Sequence, residues 1–199
     1  MRREKFAKAL GRGRLRGLVV LALAPALLWL GCCSVSLWNT VTPAGIVIHH
    51  SAVPRSPGGR PVDSSVIDGI HRRRGFGAFY WGRVYHIGYH YVILPDGTIQ
   101  KGRPDGCRGA HAAGYNSYIG ICLVGNFSSG RGTSGEYGAE EPTPAQLNAL
   151  VALCRQLQAE HSIPAEQVIT HKEVNPETEC PGDRFPFLKV AESVGRSVE

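Results

Sequence analysis

The sequence predicts an α/β domain, a single mixed central β-sheet flanked by helices, and three observations carry that prediction. Short β-branched runs such as GIVIH at residues 45–49 read as strands buried on both faces. One amphipathic stretch, Thr143 to Leu157, reads as a long helix. Strands and helices mix without strict βαβ alternation, which favours one mixed sheet with helices packed on it.

Ahead of the domain, residues 1–16 hold seven Lys or Arg against one Glu, and the remaining residues hold 15 basic and 15 acidic side chains. The formal charge of +6 therefore belongs to the leader. The neutral body offers no polybasic footprint, and no nucleic-acid partner is expected. Leu18 to Trp38 is an uncharged apolar run of 21 residues, roughly 30 Å if helical. Basic flank followed by apolar core is a signal or membrane anchor, with the N-terminus on the cytoplasmic side. Three forms remain open: an uncleaved anchor, a cleaved signal, and a lipoprotein acylated at Cys32 in the lipobox-like LGC. The expected organisation is leader 1–38, short linker 39–44 and one domain over 45–195.

Along the domain, the first strand ends in His49 and His50, whose side chains point to opposite faces, so only one of them can reach a given metal. A Pro- and Gly-rich loop follows. Asp63 or Ser64 can cap a helix presenting Val66, Ile67 and Ile70 on one face, with His71 and Arg72 to Arg74 closing its C-terminal end. The aromatic segment GFGAFYWGRVY, residues 75–85, is expected to pack, with stacking on sugar rings as its other use. HIGYHYVILPDGTIQKGR reads as a β-hairpin around a PDG turn. A loop containing His111 leads to a strand from Ile119 to Val124, and a Gly-, Ser- and acid-rich loop covers 128–141. Thr143, Pro144 and Gln146 form a capping box with proline at the first helical position, ahead of an apolar stripe of Leu147, Leu150, Val151, Cys154 and Leu157. A short strand then ends at His171, and a last helix runs from about Phe185 to Val194. Of the body cysteines, Cys122 and Cys154 are the conceivable bridge, but both read as buried thiols.

The chemistry concentrates in THKEVNPETECPGD, residues 170–183. Its histidine and cysteine are too far apart for a paired zinc-finger half-site; three scattered ligands with a fourth position open are the pattern of a catalytic zinc. From spacing alone the third ligand is His49 or His50.

IVIHHSA, IGYHYVILPDGTIQKGR, GAHAAGYNSYIGICLVGNF, TPAQ and THKEVNPETECPGD stand in an order that resembles the type 2 N-acetylmuramoyl-L-alanine amidases, a family that includes phage lysozyme-type amidases and animal peptidoglycan recognition proteins. The resemblance covers residues 45 to about 190. It implies Zn2+ held by His49, His171 and Cys180, catalytic assistance from Tyr89 and Thr178, and substrate contacts at His111 and Asn116. The His-to-Cys spacing is nine rather than the usual eight, so Glu177 or Glu179 competes with Thr178 for its role. The implied reaction is hydrolysis of the amide between N-acetylmuramic acid and L-alanine in peptidoglycan or muropeptides. The alternative is a non-catalytic peptidoglycan-binding module, against which the intact Cys180 argues. The leader, not the resemblance, sets the expected location at the cell envelope, with membrane contact through the N-terminal segment and the domain on the outer side; a monomer is expected.

Overall fold

The computed structural model describes residues 38–130 and 139–197, so the leader ahead of Trp38 and most of the Gly- and Ser-rich loop lie outside the described residues. Five strands, β1 (Ile46–His50), β4 (Tyr91–Ile93), β5 (Ile99–Lys101), β6 (Ile119–Leu123) and β7 (Val168–Thr170), form one sheet in the order β5-β4-β6-β1-β7. β1 pairs in parallel with both β6 and β7, β4 is parallel to β6, and only β5 is antiparallel to its neighbour. Every residue of β1 and β6 is buried, as uninterrupted β-branched runs require when both faces of a sheet are covered.

The two faces carry separate cores. On one, Ile46, Ile48 and Leu123 pack against Leu150, Cys154 and Leu157 of α2 (Pro144–His161) and Val190 of α4 (Phe187–Ser193). Each fully buried aliphatic side chain there contributes about 1.5–3 kcal/mol relative to exposure. On the other, Val92, Cys122 and Val124 meet Ile67 of α1 (Ser64–Arg73) and Ile87. Cys122 and Cys154 therefore belong to opposite faces, and all four described cysteines are free.

Local chemistry explains the helix ends. Asp63 caps α1, accepting from the Ser65 and Val66 N–H groups. Thr143 caps α2 in a reciprocal box with Gln146. The buried Gln146 amide also donates to the Ile93 and Val124 carbonyls at 3.2 and 2.9 Å, tying the start of α2 to the ends of β4 and β6.

Two expectations need correction. α1 turns Ile67 and His71 inward, four residues apart, and leaves Val66 exposed. A buried histidine is tolerated because its Nδ1 accepts the Gly88 N–H at 2.9 Å. The aromatic segment is a separate hairpin, β2 (Ala78–Tyr80) paired with β3 (Arg83–Tyr85). Phe76 packs on His71 as expected, but Trp81 at the hairpin tip is 72% exposed.

Candidate metal centre and active site

The site forms at the C-terminal ends of β1 and β7. His49 is 1% exposed and points to the α1 face, whereas the His50 ring turns the other way, where its Nδ1 accepts the Phe127 N–H at 3.1 Å. β7 ends at Thr170, whose side chain caps α3 (His171–Val174) in a second capping box with Glu173. This places His171 at the first helical position, its ring centroid 4.6 Å from that of His49. Cys180 closes the loop that follows. Its carbonyl accepts from the Lys172 N–H at 2.8 Å, its own N–H donates to Thr178 Oγ1 at 3.2 Å, and its Sγ accepts the His50 N–H at 3.4 Å. His49 Nδ1 and Cys180 Sγ are 3.5 Å apart, and one donor atom from each of His49, His171 and Cys180 falls within 4.8 Å of the others.

These donors fit a zinc ion. Burial, then the neighbouring His111 and His171, holds the His49 pKa well below its ordinary value, and burial lowers that of His171 as well. Both rings are thus neutral, the form that ligates. Burial pushes the Cys180 thiol up to about 12, a cost that a divalent cation reverses by favouring the thiolate. Two imidazoles and one thiolate, with His171 only half-buried, match a three-ligand site with room for a fourth.

A second ring sets the first. His49 Nε2 lies 3.0 Å from His111 Nδ1, and His111 Nε2 lies 3.0 Å from the Tyr118 carbonyl. With His49 Nδ1 turned to the metal position, one tautomer pattern satisfies every nitrogen: His49 Nε2–H donates to His111, and His111 Nε2–H donates to Tyr118. Burial followed by the neighbouring His90 lowers the His111 pKa to about 3, in keeping with a neutral relay. The ring fits because Gly109 and Gly120 flank it; a Cβ on either would stand 2.5 Å from His111. Asn116 Oδ1 accepts the His111 and Ala112 N–H groups at 2.9 and 3.2 Å. Of the two residues expected to contact substrate, His111 therefore stands behind His49, and Asn116 shapes the loop that carries it.

The Tyr89 ring lies 5.1 Å from His49. Burial, then the Cys122 and Cys180 sulfurs, raises its pKa well above the ordinary value, so the hydroxyl keeps its proton and can act as a hydrogen-bond donor. His71 packs on Tyr89 at 5.4 Å, a neighbour the sequence reading placed only at a helix end. Its spacing of four from Ile67 was the available signal. Thr178 is half-buried with Oγ1 engaged by the Cys180 N–H, while Glu177 is exposed and Glu179 pairs with Lys172 at 3.8 Å on the surface. A second donor group, Asp105, Glu160 and His161, is already satisfied internally: Asp105 takes the Tyr91 hydroxyl and His161 Nε2, and Glu160 takes the Gln156 amide.

A family model of N-acetylmuramoyl-L-alanine amidases matches residues 39–183. The chain is 33% identical over 110 residues to an endolysin of Enterobacteria phage K11, covering 54% of this chain and 68% of that one. It is 40% identical over 96 residues to an endolysin of Escherichia phage T7, covering 48% and 58% respectively. Among solved structures, the N-acetylmuramoyl-L-alanine amidase LysC from Clostridium intestinale URNW superposes with a TM-score of 0.63 at 34% identity, over 79% of this chain and 88% of that one.

Proposed function

The chain belongs to the N-acetylmuramoyl-L-alanine amidase family, and from that premise we propose that it is a zinc-dependent hydrolase of the amide joining the lactyl group of N-acetylmuramic acid to the L-alanine of the stem peptide. The observation that carries this reading is the convergence on one small volume of His49 from β1 with His171 and Cys180 from the stretch after β7, more than 120 residues later in the sequence. A zinc ion bound there supplies Lewis acidity and a water acidic enough to ionise near neutral pH.

The protein's own groups do the rest. His49 offers Nδ1 with its tautomer held by His111, and Cys180 is held in a turn hydrogen-bonded at three points. The protonated Tyr89 hydroxyl donates to the oxyanion that develops when the amide carbonyl is attacked, a contribution of about 2.7–4 kcal/mol for one well-placed donor. Thr178 keeps the Cys180 turn closed, and the exposed carboxylates Glu177 and Glu179 on the same loop are the groups we assign to take a proton from the attacking water and pass it on to the leaving amine. The leader places the domain at the cell envelope, outside the cytoplasm. Among the described residues no helix is long and apolar enough to cross a membrane, so this assignment rests on the sequence of the leader.

The full chain, loaded with zinc in mild detergent, is expected to release free stem peptide from peptidoglycan, to lose this with a chelator and to regain it on adding zinc. Cys180→Ser is expected to abolish release. Binding of peptidoglycan by the zinc-loaded chain with no stem peptide in the mass spectrum would replace this reading with that of a recognition module.

A further inference from the structure

The β2–β3 hairpin is not explained by the metal site. Its tip residue, Trp81, is 72% exposed and has a φ of 44°. A bulky side chain in the left-handed region is an outlier, since tight hairpin turns favour Asn, Asp or Gly there. Packing within the domain compensates little, because the indole meets the Tyr80 ring edge-on at 6.3 Å and otherwise faces solvent. Beside it Val84 is 51% exposed.

The surroundings are cationic. Between Asp68 and Asp96 the sequence has four arginines and no acidic residue, in a body whose charges balance overall. Arg72 of α1 and Arg83 of β3, both exposed, line one groove with Lys101 and with Asp68, whose carboxylate accepts the Ile87 N–H at 2.8 Å, so the groove carries three cations against one anion.

A second, independent observation concerns where the chain joins the fold. Trp38, 81% exposed, is the last residue of the uncharged apolar run. The next residue, Asn39, donates its side-chain amide to the Phe79 carbonyl of β2 at 3.0 Å. Two residues later Val41 N–H donates to Gly106 O at 2.9 Å, and the Tyr80 hydroxyl lies so close over Gly106 that a Cβ there would be 2.8 Å away. The apolar run thus reaches the domain at the flank of the aromatic hairpin.

We propose that the β2–β3 hairpin rests on the lipid surface into which the leader inserts, with Trp81 and Val84 among the headgroups and Arg83 and Arg72 on anionic phospholipid. Indole favours the membrane interface because its body is apolar and its N–H stays hydrated. Basic side chains beside it are attracted to anionic headgroups within a Debye length. The contact sets how the metal site is oriented above the bilayer. It rests on the leader remaining in the membrane and is independent of whether the site hydrolyses its substrate.

The chain has three tryptophans, Trp29, Trp38 and Trp81, so the full chain with Trp29→Phe and Trp38→Phe carries Trp81 as its sole indole. Reconstituted in vesicles of phosphatidylcholine with a minor fraction of phosphatidylglycerol, its emission is expected to shift to the blue and to be quenched by lipids brominated near the headgroup. Both effects should weaken when phosphatidylglycerol is left out or when Arg72→Glu and Arg83→Glu are introduced together. Flotation of the same sample reports insertion of the leader, and stem-peptide release reports hydrolysis. A floating chain whose Trp81 is unquenched by brominated lipid overturns the proposal, and a chain that does not float overturns both docking and anchoring. A Trp81 shift produced by a soluble N-acetylglucosamine and N-acetylmuramic acid disaccharide, with none from lipid, overturns it in favour of a glycan contact. Quenching without hydrolysis upholds the docking and defeats only the amidase reading.

Discussion

Replacing His111 with alanine tests the arrangement behind the metal site most directly. The substitution removes the acceptor of His49 Nε2–H and the donor to the Tyr118 carbonyl, both 3.0 Å contacts, and leaves a ring-sized space between Gly109 and Gly120. Losing the outer partner of a metal-ligating histidine typically weakens metal binding by about 10–100-fold, or about 1.4–2.8 kcal/mol at about 1.4 kcal/mol per tenfold. The stranded groups lower the stability of the metal-free protein by about 1–3 kcal/mol as well. His111→Asn separates the two effects. Its Oδ1 can stand where Nδ1 stood and accept from His49, but it cannot also reach Tyr118. It should therefore regain most of the zinc affinity while keeping the part of the stability loss that comes from the Tyr118 carbonyl. Zinc affinity read by competition with a chromogenic chelator, beside urea midpoints of the metal-free chains, measures both. A folded His111→Ala chain that binds zinc within about twofold of the parent would refute the positioning argument.

Tyr89→Phe should lower the rate of stem-peptide release by about 10²–10³-fold with zinc affinity unchanged; equal losses in both would make Tyr89 a structural support of the metal ligands. Gly120→Ala drives a Cβ to 2.5 Å from the His111 ring and should cost about 1–3 kcal/mol of stability, read as a lower urea midpoint, with weaker zinc binding alongside. The metal-free protein should also lose stability in acid. His71 and His90 both have pKa values lowered from 6.5 to about 4, chiefly by burial. Between those values the unfolded chain binds protons that the folded chain does not, so stability is full above pH 6.5 and falls as pH drops toward about 4. Urea midpoints that stay constant across that window would contradict the neutral assignment of these rings.

Much of the architecture was legible in the residue pattern because local physics dictated it. The β-branched runs at 46–50 and 119–123 could satisfy both faces only inside a sheet, and the Thr143 capping box appears as predicted. The alternation of His49 and His50 across β1 is likewise a period-two consequence of strand geometry. Less legible was anything set by what lies across a gap. The inward face of α1 is chosen by Gly88, which offers its N–H to His71, rather than by the hydrophobicity of Val66. The aromatic segment divides into packed Phe76 and exposed Trp81, although composition treats the two alike.

By itself the sequence determined which donors the chain possesses, the elements that hold them and the family to which it belongs, because periodicity, caps and ordered motifs are properties of neighbours along the chain. Only the tertiary structure decided that His111 turns its ring to His49, that Asn116 holds the loop beneath it, and that Thr178 closes the Cys180 turn. Those pairings join residues far apart in sequence or depend on a side-chain direction, and a hydrogen bond near 3 Å exists only once the sheet, its two helical layers and the loop after β7 have been brought together.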